Sequence, residues 1–159
     1  MQAARPGRIE GEFAIGKENC TCRAHAVNRA GTLHGGLIMT LIDSVGSLAV
    51  ASKGWYNTGI STDINATFVR PGGREGDRVS VLGEVVGMGT SRADAGKTLA
   101  YTRIELRDPS TQALLGRWHA DAAYGSHTKY VRMAFGSKDN VEFDAAGEQV
   151  VQGTLPEGV

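Results

Sequence analysis

Asp43 is the single charge in the apolar stretch from Leu37 to Ala51, and that stretch opens at two glycines, Gly35 and Gly36. Read as a helix, it carries a lone carboxylate about two turns in. An ionised carboxylate in a core helix is expensive unless it is paired, hydrogen-bonded or used in chemistry. The glycines let a substrate approach backbone N–H groups at the positive end of a helix dipole. A helix terminus that can polarise a carbonyl, followed by a carboxylate that can take a proton, is the layout of a hydrolytic site. Gly35 is the candidate oxyanion donor and Asp43 the candidate base. Asn28 and His34 stand just ahead of the helix. The chain has no Gly-x-Ser-x-Gly elbow. Hydrolysis would therefore run through water activated at Asp43, with a covalent anhydride on Asp43 as the other route.

The elements that must hold these groups are legible from pattern. Gly35 to Lys53 reads as a long helix, closed by Gly54 as a C-cap. Arg8 to Ile15 is a short run, and Cys20 to Val27 alternates like a half-exposed strand. Gly59 to Val69 alternates through Ile60, Thr62, Ile64 and Ala66, and Pro71-Gly72-Gly73 ends it. Arg78 to Val86 and Thr98 to Leu106 have β-branched character, and Ala113 to Tyr124 reads as the final long strand. Hairpin-connected strands with one long helix placed early make an α+β pattern rather than βαβαβ.

Five segments in order carry a family resemblance: Asn28 with His34-Gly35-Gly36 and Asp43; Ser61 with Asp63-Ile64-Asn65; Phe68 to Pro71; Gly96 to Ala100; and His127-Thr128-Lys129-Tyr130. Over roughly Gly7 to Val131 the chain resembles hotdog-fold acyl-CoA thioesterases of the PaaI-like type, including the eukaryotic thioesterase-superfamily members. The resemblance implies an antiparallel sheet wrapped around a central helix and hydrolysis of an acyl-CoA to a free acid and coenzyme A, with no cofactor. It implies that Asn28 adds a polar contact at the carbonyl, that His34 shapes the loop and that Ser61 helps Asp43 hold the water. His127 matches a histidine that assists the departing thiol. Arg70, Arg74, Lys97 and Lys129 are candidates to meet the coenzyme A phosphates. The family's sites form between subunits, so a homodimer, pairing into a homotetramer, is expected. A hotdog hydratase or dehydratase and a non-catalytic acyl-CoA binder are the rival readings.

Composition sets the outer limits. The 159 residues suit one domain that buries about two thirds of its unfolded surface. A net charge of zero argues against a nucleic-acid partner. From Gly136 on there are five acids against Lys138, so residues 136–159 read as a mobile acidic tail behind a domain of residues 1–135. Cys20 and Cys22 are too close to staple a secreted domain, and with His25 they lack zinc-site spacing, so no metal is expected. Met1 to Arg8 has no apolar signal core, and polar residues break the only long apolar stretch, so no membrane span is expected. A cytoplasmic location is expected, with a mitochondrial one left open.

Overall fold

The computed structural model describes residues 3–16, 31–88, 99–107, 121–131, 137–144 and 146–154. Six strands form one antiparallel sheet: β1 (Ala3–Arg5), β2 (Arg8–Ala14), β3 (Ile60–Phe68), β4 (Arg78–Met88), β5 (Leu99–Arg107) and β6 (Asp121–Tyr130). Their order across the sheet is β1-β2-β4-β5-β6-β3, which leaves β3 at one edge among the described residues. Among the described residues a single helix, α1 (Gly35–Ala51), lies across one face.

Period sets which side chains meet α1. On β5, Ala100, Thr102, Ile104 and Leu106 are buried, while Tyr101, Arg103 and Arg107 between them are exposed. Along α1 the buried positions are Ile38, Ile42, Val45, Gly46, Ala49 and Val50, a stripe at helical spacing that packs on Ile9, Val79, Ile104 and Leu106. Asp43 sits one position round from Ile42, on the flank of that stripe. Its side chain is 45% exposed, so it is not the buried core carboxylate that the apolar run suggests.

A bulge sets the register that the site needs. Ser61 pairs with Lys129 and Asp63 with Thr128, so Thr62 is the extra residue on β3. Without it, Ser61 and Ile64 would fall on opposite faces, because their spacing is odd. With it, both face α1, opposite Lys129 and His127 respectively.

The final strand, described from Asp121, runs on past Tyr124 through Tyr130, so His127 and Lys129 are strand residues rather than residues beyond a strand. Their alternation with Thr128 and Tyr130 is a period of two built on polar side chains, which a hydrophobicity pattern does not register. Residues 113–120 and the expected strand at 20–27 lie outside the described residues.

The acidic tail also differs from its composition. It carries a two-stranded hairpin, β7 (Glu142–Phe143) with β8 (Val150–Gln152). Val141, 6% exposed, docks where α1 ends: its N–H donates to the Gly54 carbonyl at 2.7 Å, and the Tyr56 N–H donates to Asn140 Oδ1 at 3.1 Å. Gly54 has φ +92°, and a Cβ there would lie 1.7 Å from the Val141 carbonyl oxygen. Acidic residues hide one well-packed valine. Deletion from Ser137 onward is therefore expected to remove about 2–3 kcal/mol, from one buried apolar side chain and its backbone bond, and to lower Tm by about 5–10 °C. An unchanged melting curve for the truncated protein would show that the hairpin contributes nothing.

Candidate active site

His34 is the N-cap of α1, in extended conformation, and its ring Nδ1 accepts from the Gly36 N–H at 2.9 Å. Leu37 and Ile38 N–H groups close on the His34 carbonyl at 2.9 and 3.1 Å. Among the described residues none accepts from the Gly35 N–H. That donor stands at the positive end of the helix with the Phe68 ring beside it, 3.5 Å from where a Gly35 Cβ would sit.

Two turns further on, three elements converge. Ser61 Oγ of β3 donates to Asp43 Oδ1 of α1 at 3.0 Å. His127 Nε2 of β6 lies 2.9 Å from Ser61 Oγ and 3.2 Å from Asp43 Oδ1. A serine hydroxyl has one hydrogen, and here it goes to the carboxylate. Nε2 therefore faces two acceptors and must carry the ring proton. The other ring nitrogen, Nδ1, is buried with no partner among the described residues, as the bare nitrogen of a neutral imidazole would be. Burial pushes the His127 pKa below its ordinary value, and the nearby Lys129 ammonium pushes the same way, against the pull of Asp43 and Asp63.

This tautomer has a chemical consequence. His127 donates to Ser61 and cannot take its proton, so the three residues are not a nucleophilic serine triad. What remains is a half-exposed carboxylate, held through one oxygen by Ser61 and His127. The Asp43 Oδ2 atom has no partner among the described residues. A carboxylate fixed on one side and open on the other can take a proton from a bound water.

A Thioesterase superfamily profile matches residues 30–114, more than half the chain. The chain belongs to the thioesterase superfamily. Human acyl-coenzyme A thioesterase 13 is 31% identical over 131 residues, which span 82% of this chain and 78% of that protein. The crystal structure of zebrafish thioesterase superfamily member 2 superposes with a TM-score of 0.62 at 26% identity, covering 81% of this chain and 78% of that one. Escherichia coli PaaI, at 17% identity, shares the fold with a TM-score of 0.59 over 79% of this chain and 77% of that chain. The antiparallel sheet with one helix among the described residues is the hotdog fold of these thioesterases, and thioester hydrolysis is the class of chemistry to which this protein belongs.

The other expected residues fall in three places. Arg70 and Arg74 are exposed, and the segment that holds Arg74 is pinned beside the helix start by the Leu33 N–H bond to the Gly73 carbonyl at 2.8 Å and by the Thr32–Arg74 bridge. Asn28 and Lys97 lie outside the described residues. Lys129 is not a surface base: it is 4% exposed, and its Nζ donates to Ser47 Oγ at 2.9 Å and lies 3.4 Å from Ser61 Oγ. As placed, it cannot meet a phosphate in solvent.

Sequence reasoning did not single out Ser47, Gly46 or Thr102. Ser47 was within reach, because it follows Asp43 by four residues and so shares its helix face. Thr102 Oγ1 donates to the His127 carbonyl at 2.8 Å and fixes the strand beneath the ring. Gly46 is where α1 crosses His127. A Cβ there would sit 2.6 Å from Nδ1 and 2.8 Å from Thr102 Oγ1, closer than real contacts allow. Gly46→Ala is therefore expected to destabilise by about 1–3 kcal/mol through overpacking and to displace the ring from Asp43. Melting and activity should fall together; unaltered turnover would mean that the His127 position is immaterial.

Proposed function

We propose that this thioesterase hydrolyses acyl-CoA thioesters to a free acid and coenzyme A, using water activated by Asp43 in a site shared between two chains. The observation that carries this reading is the Asp43 carboxylate, pinned by Ser61 at 3.0 Å and still half open. Water bound on the open side passes a proton to Asp43 and attacks the thioester carbon. Gly35 N–H receives the developing oxyanion, helped by the helix dipole and by Asn28. The oxyanion then collapses, the C–S bond breaks, and the departing coenzyme A thiolate takes back the proton held by Asp43, which returns to its carboxylate form. Arg70, Arg74 and Lys97 are the cations proposed to meet its phosphates, as the similarity to human acyl-coenzyme A thioesterase 13 suggests.

Geometry favours a shared site. Gly35 and Asp43 are eight residues apart on one helix, about 12 Å along its axis, too far to serve one carbonyl. However, α1 runs against β3 so that Gly35 lies at the Phe68 end and Asp43 at the Ser61 end. Antiparallel pairing of two β3 edges about a two-fold axis sets the Ser61 end of one chain beside the Phe68 end of the other. Each Asp43 then faces the partner subunit's Gly35. Such pairing would also cover an edge strand that otherwise leaves N–H and C=O groups open.

The test is a panel of acyl-CoA thioesters of varied acyl group, with released thiol as readout. Hydrolysis of at least one class at a rate well above background is expected. Binding without thiol release across the panel would favour a non-catalytic acyl-CoA binder.

A further inference from the structure

We propose that Lys129 is a positioning residue of this site: its buried ammonium, anchored on Ser47, fills the acceptor side of Ser61 and so holds the Ser61 hydrogen on Asp43. The proposal rests on the reading of Asp43 as the base and goes further, by assigning what fixes it.

The hydroxyl inventory makes the case. Ser61 Oγ has one hydrogen and two lone pairs. The hydrogen goes to Asp43 Oδ1 at 3.0 Å, and the donors that converge on the lone pairs are His127 Nε2 at 2.9 Å and Lys129 Nζ at 3.4 Å. With all three directions occupied, the hydroxyl has no other place to turn its hydrogen. The bulge at Thr62 puts Lys129 directly across from Ser61 on the helix-facing side, and the i+4 spacing puts Ser47 one turn beyond Asp43 to receive it.

Stability does not account for this lysine. Burying an ammonium is expensive, and a buried lysine ordinarily sits against a carboxylate. Among the described residues Lys129 makes no ion pair within 4.0 Å; its partners are two serine hydroxyls. Burial accordingly pushes its pKa down, opposed by the charge of Asp43. An apolar side chain of similar length would fill the space at lower cost, so what the ammonium supplies must be its charge and its donors.

The charge acts on His127 too. The charged groups that act on that ring are Asp43 from α1, Lys129 from its own strand and, from the other face of the sheet, Asp63 of β3; Thr102 from β5 is neutral. Lys129 is the one that opposes protonation. Without it the ring would charge at higher pH. An imidazolium would then neutralise Asp43 and aim an Nδ1 hydrogen at Gly46, where no acceptor stands.

Lys129→Met and Ser47→Ala are the variants, each compared with the wild type for kcat, KM, Tm and the NMR titration of His127. For Lys129→Met, kcat should fall about tenfold with KM unchanged, since a group that positions the base acts on the transition state alone. The His127 midpoint and the acid limb of kcat/KM should both move up by about one pH unit. Tm should hold or rise, because a buried charge has been replaced by an apolar chain. Ser47→Ala keeps the charge and loses the anchor, so kcat should fall while the His127 midpoint moves less. Should Lys129→Met fail to fold, the fall in kcat of Ser47→Ala decides alone. Wild-type kcat in the folded variants overturns the proposal, and so does a rise in KM at unchanged kcat, which would mark Lys129 as a contact to coenzyme A. If the wild type hydrolyses no acyl-CoA, the functional reading fails. The His127 titration needs no substrate and still tests Lys129: an unmoved midpoint in Lys129→Met overturns its role.

Discussion

Asp43→Asn is expected to leave a folded protein whose turnover is lower by about 10²-fold or more, the loss typical of a removed acid–base group. The amide keeps the shape of the carboxylate. Its oxygen can take the place of Oδ1 and still accept from Ser61 and from His127 Nε2, while its NH2 takes the open side. What disappears is the capacity to take a proton from water. Because the native side chain is 45% exposed its charge is screened by solvent, so Tm should fall only modestly as the buried Lys129 loses that nearby charge. The measurement is kcat with matched melting curves and oligomer mass. Near wild-type turnover by a natively assembled Asp43→Asn protein would remove Asp43 from the mechanism, and with it the proposed activated water.

Much of the frame was legible because apolar period is a direct record of burial. The helix from Gly35 and the strand at Gly59 declared themselves by which residues recur or alternate, and the strands at Arg78 and Thr98 by β-branched character, while Arg8 to Ile15 read only as a short run. Ser61, Asp43 and His127 were recognisable as a set from their segments, and the structure brings these three within hydrogen-bond distance of one another. Three features left no apolar trace. The bulge at Thr62 changes facing without changing composition, so the side of β3 that Ser61 takes could not be read from spacing. In β6 the inward positions are His127 and Lys129, polar side chains buried for their partners rather than for their hydrophobicity. The tail docks through Val141, a single residue whose burial depends on a contact with Gly54, 87 positions away in sequence. Long-range contacts of that kind are invisible to any local window. Asn28, which the family resemblance places at the carbonyl, lies outside the described residues, so its role rests on the sequence alone.

Gly35→Pro is expected to abolish most activity without unfolding the helix, and mixing it with Asp43→Asn is expected to restore about a quarter of wild-type activity. Proline removes the proposed oxyanion donor and adds ring atoms where glycine leaves room for substrate. Gly35 is the first residue of α1, where proline is tolerated because that N–H has no helical partner. The preceding His34 is already extended, at φ −70° and ψ 135°, the conformation that a residue before proline prefers. A side chain at 35 would meet the Phe68 ring at 3.5 Å, an ordinary contact. Loss of one oxyanion donor should lower kcat by about 10²–10³-fold. The mixture then tests the shared site. In a mixed dimer one site receives both defects, and the other joins an intact Gly35 to an intact Asp43. Half the sites of each mixed dimer work, and random pairing makes about half of all dimers mixed, which gives the quarter. Mass spectrometry confirms that mixed dimers form before activity is read. If they form and the mixture stays as inactive as its parents, Gly35 and Asp43 do not meet across an interface. The 12 Å or so between them on one helix would then leave the two groups serving different purposes.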